Sequence, residues 1–218
     1  MNSFSTFPPS TSIQNMKFLK NQNQNQTFGV TKTSPKKNAF TLVELLTVIA
    51  IIAILMGLLF PTIGAVKESG RKTQAKNDTV QLANAIKNFY TEYGEYPDGL
   101  TGSPATLPVE VLEALMGTTA GATINPRRTV FIEVPDAKGR GEVRMGGYYE
   151  GKWLDPWGGE YRVAADSDYN NEISNPYTGA GDTTLRTGAI AFSLGKDKAG
   201  GSGAKESGTN KDDILSWY

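Results

Sequence analysis

The apolar positions of this chain follow three different periods in turn. From Phe40 to Phe60 they are nearly continuous, with one charged residue, Glu44, in 21 positions. At about 1.5 Å per helical residue this run crosses a hydrocarbon core of about 30 Å, which predicts a membrane-spanning helix. Next, Val66, Val80, Leu82, Ala83, Ile86, Phe89, Tyr90 and Tyr93 recur mostly at three- and four-residue steps, with Arg71, Lys72, Lys76, Asp78 and Lys87 between them. That is an amphipathic pattern, so the helix is expected to continue to about Tyr93 and to stop at Gly94 and Pro97. Gly57, Pro61 and Gly64 predict a bend or local melting at the junction, because proline lacks an N–H and crowds the preceding turn.

Beyond Pro97 the apolar runs shorten and turn residues separate them. Leu107 to Met116, opened by Pro108, predicts one short helix. Thr129–Val134, Gly147–Lys152, Glu160–Ala164 and Thr187–Phe192 predict strands. Strands at hairpin spacing favour an antiparallel sheet. Gly195 to Asp213 has almost no apolar residue and predicts a long loop pinned by Ile214, Leu215 and Trp217. The fold expected is α+β: one long bent helix packed through its distal half on a small antiparallel sheet. Four segments follow, 1–39, 40–60, 61–97 and 98–218.

Charge sharpens this division. Before Phe40 the chain is rich in Ser, Thr, Asn and Gln, reads as disordered, and carries only Lys17, Lys20, Lys32, Lys36 and Lys37 as charges. The remaining 17 basic and 22 acidic residues leave the rest at −5. An acidic body argues against nucleic acid as a partner and fits a basic cytoplasmic leader joined to an extracytoplasmic domain. The leader is too long, and its apolar run too far in, for an ordinary secretory signal. The chain has no Cys and no His, which removes Cys/His zinc sites, Cys nucleophiles and Ser-His-Asp triads, so no enzyme is expected. Lys152 and Lys196 follow glycines, but neither is followed by Ser or Thr, so there is no Walker A loop. Without disulfides, a metal or a polymer contact becomes the plausible staple for an exported body.

Glu44 needs a reason, since an ionised group at the membrane centre costs at least about 2.5 to 3.5 kcal/mol. Ala39, then Phe40-Thr-Leu-Val-Glu44, the apolar run and Pro61 together resemble the class III signal of type IV pilins and pseudopilins. The resemblance implies that a prepilin peptidase cuts between Ala39 and Phe40 and methylates the new amino terminus; the family's usual residue before the cut is Gly. It also gives Glu44 a role. An amino terminus buried among neighbouring apolar helices needs a partner, and a carboxylate one turn along an adjacent subunit supplies it and sets axial register.

Two further stretches narrow the family. Asp155-Pro-Trp-Gly158 suits a type I turn with a tryptophan anchor, and its continuation Gly159-Glu-Tyr161 is similar to the Asp-Pro-Trp-Gly-x-x-Tyr stretch of the major pseudopilin of type II secretion systems. The tail, Ser193-Leu-Gly-Lys-Asp197 followed by Asp212-Asp213-Ile-Leu-Ser-Trp217, is similar to that family's calcium loop. The resemblance makes Asp197, Asp212 and Asp213 side-chain ligands, Leu194 a carbonyl ligand, and Ser193 and Asn210 weaker ones. Calcium takes 6 to 8 oxygens, and the spacing here is not that of an EF-hand.

The resemblance implies a structural subunit held in the inner membrane, amino terminus in the cytoplasm, that stacks with copies of itself into a short periplasmic helical filament. Minor pseudopilins and an inner-membrane assembly platform would be its other partners. A pilus or DNA-uptake filament subunit is the alternative within the class, and a membrane-anchored periplasmic enzyme or binding protein the alternative outside it. The stretches 98–150 and 166–186 look like insertions relative to the family.

Overall fold

The computed structural model describes residues 40–141, 143–177 and 182–217. The leader 1–39, with Ala39, lies outside them. The chain divides into a unit ending at Val48 and one running from Ile49 onward.

Helix α1, Leu42–Tyr93, is 52 residues long. It runs through Pro61 without interruption, so the expected melting at the junction does not occur. One proline removes a single backbone donor, and the helical turns on either side of it stay formed. The far end stops as predicted: Gly94 takes φ +77° and its N–H donates to Tyr90 O at 2.7 Å. That is the left-handed cap which a residue without Cβ adopts freely.

The distal half of α1 buries Ala75, Leu82, Ala83, Ile86 and Phe89. Helix α2, Val109–Leu115, meets that stripe with Val111, Leu112 and Leu115. Each such large side chain contributes about 1.5–3 kcal/mol when removed from water. Under the helices lies a four-stranded antiparallel sheet in the order β1 (Ala105–Thr106), β6 (Arg162–Ala165), β9 (Ala189–Ser193), β10 (Ile214–Leu215). Side chains alternate across it. Tyr161, Val163, Ala165, Ala189 and Ala191 join the helical core, whereas Ala164 and Ile190 face Ile173, Leu185 and Trp217. Three hairpins decorate the body: β2 (Lys138–Arg140) with β3 (Val143–Met145), β4 (Gly147–Tyr149) with β5 (Lys152–Leu154), and β7 (Ile173–Ser174) with β8 (Thr184–Leu185).

Two predicted strands differ. Gly147–Lys152 is not one strand but the first arm and turn of the β4–β5 hairpin, because Glu150 and Gly151 both take positive φ, +48° and +80°, as a tight hairpin turn requires. Thr129–Val134 is not a strand at all. The buried Asn125 donates to Ala114 O and Thr129 O, both at 2.7 Å, and Phe131 and Ile132 N–H donate to Leu115 O. The segment's backbone partners are the end of α2 and one side chain, not a neighbouring strand.

Candidate functional site

At the start of α1, Glu44 accepts hydrogen bonds on Oε2 from the Thr41 N–H at 2.8 Å and the Thr41 hydroxyl at 2.9 Å. The Thr41 Oγ1 in turn accepts from the Glu44 N–H at 3.2 Å. This is a reciprocal capping box, Thr at N-cap and Glu at N3. Sequence reasoning missed it, although Thr41-Leu-Val-Glu44 carries the signal. The local box engages one of the two carboxylate oxygens. Phe40 and all the large apolar side chains of the run to Phe60 are exposed. Pro61 lies within the helix one residue further on.

The Asp155 turn is a buried hub. Asp155 is fully buried, and its Oδ1 accepts from the Trp157 N–H at 2.9 Å and the Gly159 N–H at 2.8 Å. Its Oδ2 accepts from the Ser193 hydroxyl at 2.5 Å, and Ser193 Oγ accepts from the Gly195 N–H at 3.0 Å. Gly158 has φ +80°, where a Cβ would stand 2.7 Å from Arg144 O. Burial pushes the Asp155 carboxyl above its usual range, against the pull of the bonds from Ser193, Gly159 and Trp157. Two contacts tie this segment to α1. Trp157 Nε1 donates to Glu68 Oε1 at 3.2 Å, and the buried Tyr161 hydroxyl donates to Asp78 Oδ2 at 2.8 Å. Neither Glu68 nor Asp78 stood out in sequence, because a polar residue on a helix face announces no partner.

Ser193 therefore belongs to the turn, not to the carboxylate cluster of the tail. That cluster consists of Asp197, Asp212 and Asp213, with one carboxylate oxygen from each within 4.8 Å of the others. Asp212 Oδ2 accepts from the Lys196 N–H at 2.7 Å and the Asp197 N–H at 3.2 Å. Asp213 is buried, and its Oδ2 accepts from the Tyr177 hydroxyl and from the Gly201 N–H at 3.2 Å. Its Oδ1 is buried with no hydrogen-bond partner. Burial, with the Asp212 charge adding to it, pushes the Asp213 carboxyl up, while the Tyr177 hydrogen bond opposes this. Asn210 shapes the loop: Oδ1 accepts from the Gly201 N–H at 3.1 Å, and Nδ2 donates to Ser202 O at 2.6 Å and Ala204 O at 2.9 Å. The Leu194 side chain packs beside Tyr177, Phe192 and Leu215. Three converging carboxylates and one orphaned buried oxygen suit a hard cation with oxygen ligands. Tyr177 was also missed; it comes from the 166–186 insertion, whose reach to the tail has no local signature.

Comparison with known proteins agrees with the amino-terminal part of this picture. Residues 34–60 match the prokaryotic N-terminal methylation motif. The type II secretion system core protein G of Aeromonas hydrophila is 28% identical, over 62% of this chain and 77% of its own length. That of Vibrio cholerae is 28% identical over 63% and 77%. The chain is thus similar to these core proteins over about three fifths of its length. It also resembles the type IV major pilin protein PilA of Myxococcus xanthus, 33% identical but over only 32% of this chain and 31% of that one. That match is about half as long as the other two. No solved structure matches the chain.

Proposed function

We propose that this chain is a major pseudopilin, a structural subunit of the pseudopilus of a type II protein secretion system. The observation that carries the reading is the exposed apolar surface from Phe40 to Phe60 on a helix that continues into a well-packed body. Fifteen large apolar side chains open to solvent have two stable destinations, lipid and the helices of neighbouring copies. Before assembly the run anchors the chain in the membrane, with the basic leader in the cytoplasm and the acidic body in the periplasm. The prepilin peptidase cuts between Ala39 and Phe40 and methylates Phe40. In the filament, Glu44 pairs with the amino terminus of the adjacent subunit, displacing part of the local box with Thr41. Minor pseudopilins and the inner-membrane platform are the remaining partners.

The tail loop is read as a calcium site. Asp197, Asp212 and Asp213 would hold the ion with the Leu194 carbonyl, and calcium when bound would neutralise carboxylates that repel one another. The chain's own part is to gather these groups. Asn210 fixes the loop's turn, Tyr177 orients Asp213, and Ser193 links the loop's start to the Asp155 hub.

Mass spectrometry of the chain from cells that contain the peptidase tests the processing step. An N-methylated Phe40 terminus is expected; a chain that keeps Met1 would overturn it.

A further inference from the structure

The insertion between β6 and β9 opens with Asp166-Ser-Asp168-Tyr-Asn170-Asn171-Glu172. Oxygen-bearing side chains stand at the first, third and fifth positions, the spacing with which calcium-binding loops begin; their seventh position offers a carbonyl and their sixth makes a sharp turn. Here the sixth is Asn171 at φ +61°, and asparagine is the residue after glycine that best tolerates this region. The Asn171 N–H donates to Asp166 Oδ2 at 2.9 Å, which turns the Asp166 carboxylate into the loop. Asn170 Nδ2 donates to Asp168 Oδ2 at 2.8 Å, and Asn170 Oδ1 accepts from the Glu172 N–H at 2.7 Å.

The independent observation concerns Asp166 itself. The residue is only 6% exposed, and its Oδ1 has no hydrogen-bond partner. Among the described residues two buried side-chain polar atoms lack a partner, Asp166 Oδ1 and Asp213 Oδ1. The second lies in the tail cluster already read as a cation site. A buried carboxylate oxygen with nothing to accept from is costly, and a cation removes that cost.

We propose that residues 166–172 form a second divalent-cation site of the calcium type. Its ligands are the side-chain oxygens of Asp166, Asp168 and Asn170 and the carbonyl of Glu172, with water completing the shell on the exposed side. The twelfth position is Tyr177 where an EF-hand has a bidentate Glu. With two carboxylates and an open side, the affinity belongs at the weak, extracellular end, about 10⁻⁴ to 10⁻³ M. The site has a structural consequence. Tyr169, between Asp168 and Asn170, stacks on Tyr96 at 6.0 Å and lies 6.1 Å from Tyr90 of α1, so ordering the loop fixes the insertion to the end of the long helix.

Those rings also supply the probe. The full chain in detergent, stripped of metal, is titrated with terbium while tyrosine is excited. In this titration the chain carries Asp197→Asn and Asp212→Asn to silence the tail loop. Saturable terbium luminescence displaced by millimolar calcium is expected, and adding Asp168→Asn weakens terbium binding at least about tenfold. Asp168 is exposed, and an unchanged circular dichroism spectrum checks that the fold survives. No saturable signal in the silenced chain, or a titration unaffected by Asp168→Asn, overturns the proposal. Asp168→Asn in the otherwise native chain reports on the tail loop alone, so failure of one site is read separately from failure of the other.

Discussion

Replacing Asp155 with alanine removes the acceptor for three donors at once, the Trp157 and Gly159 amides and the Ser193 hydroxyl. Each buried donor left without a partner costs about 1–3 kcal/mol. Part of this is offset, because a carboxyl that burial has pushed upward is itself expensive to keep ionised at neutral pH. The net expectation for Asp155→Ala is a loss of about 3 kcal/mol, a large share of the roughly 5–15 kcal/mol that holds a domain together. Ser193→Ala removes one charge-assisted bond and is expected to cost about 1.5 kcal/mol. The two residues touch, so the double variant should fall short of the sum by about 1 kcal/mol or more. Urea unfolding of the full chain in detergent, followed by circular dichroism, gives all four corners of the cycle. A loss below about 1 kcal/mol for Asp155→Ala, or additivity within about 0.3 kcal/mol, would refute the idea that the turn and the tail are joined through one buried carboxylate.

Three other outcomes are expected. Chelating divalent cations should lower the melting temperature of the full chain by about 5–10 °C, and exposed Asp197→Ala should abolish much of that response; a melt indifferent to chelator argues that the tail loop binds no ion. Burial raises the Asp78 carboxyl above its usual value, so the stability it contributes is complete below the unfolded value of 3.8 and is lost as pH rises through the folded one. Asp78→Asn keeps an acceptor for Tyr161, so its stability relative to the parent should rise between pH 4 and pH 7, and a fall would reverse the assignment. Glu44→Val should abolish filaments seen by electron microscopy while monomer stays in the membrane. Thr41→Val, which breaks only the capping box at about 0.5–2 kcal/mol, should still assemble; loss of filaments in both would reduce Glu44 to a helix cap.

The long helix, the short helix after Pro108 and the strands around Val163 and Ala191 were legible because their apolar periods are local. What escaped was set by contacts between distant segments. Thr129–Val134 has the composition of a strand, yet Asn125 and the end of α2 took its backbone partners. Gly147–Lys152 read as one strand because Glu150, an unusual residue for positive φ, gave no turn signal. In the site, family likeness pointed to three aspartates that the fold does gather, but grouped Ser193 with them, whereas its hydroxyl closes the Asp155 hub. Tyr177, Glu68 and Asp78 acquire meaning only when the chain has folded back on itself.

These missed contacts share a purpose. A Cys-free body of this size has no covalent staple, and its small strands bury few large side chains on the sheet's helix-facing side, where Ala165, Ala189 and Ala191 stand. Buried carboxylates replace what disulfides would do elsewhere: Asp155 and Asp213 collect donors from segments far apart in sequence, the turn and β9 for one and the insertion and the tail for the other, while Asp166 collects its donor from its own loop. Where donors run out, at Asp213 Oδ1 and Asp166 Oδ1, the remaining negative charge calls for a cation. With the two cation sites proposed above occupied, a subunit built from such a body would be firmest where divalent ions are plentiful and would loosen where they are scarce.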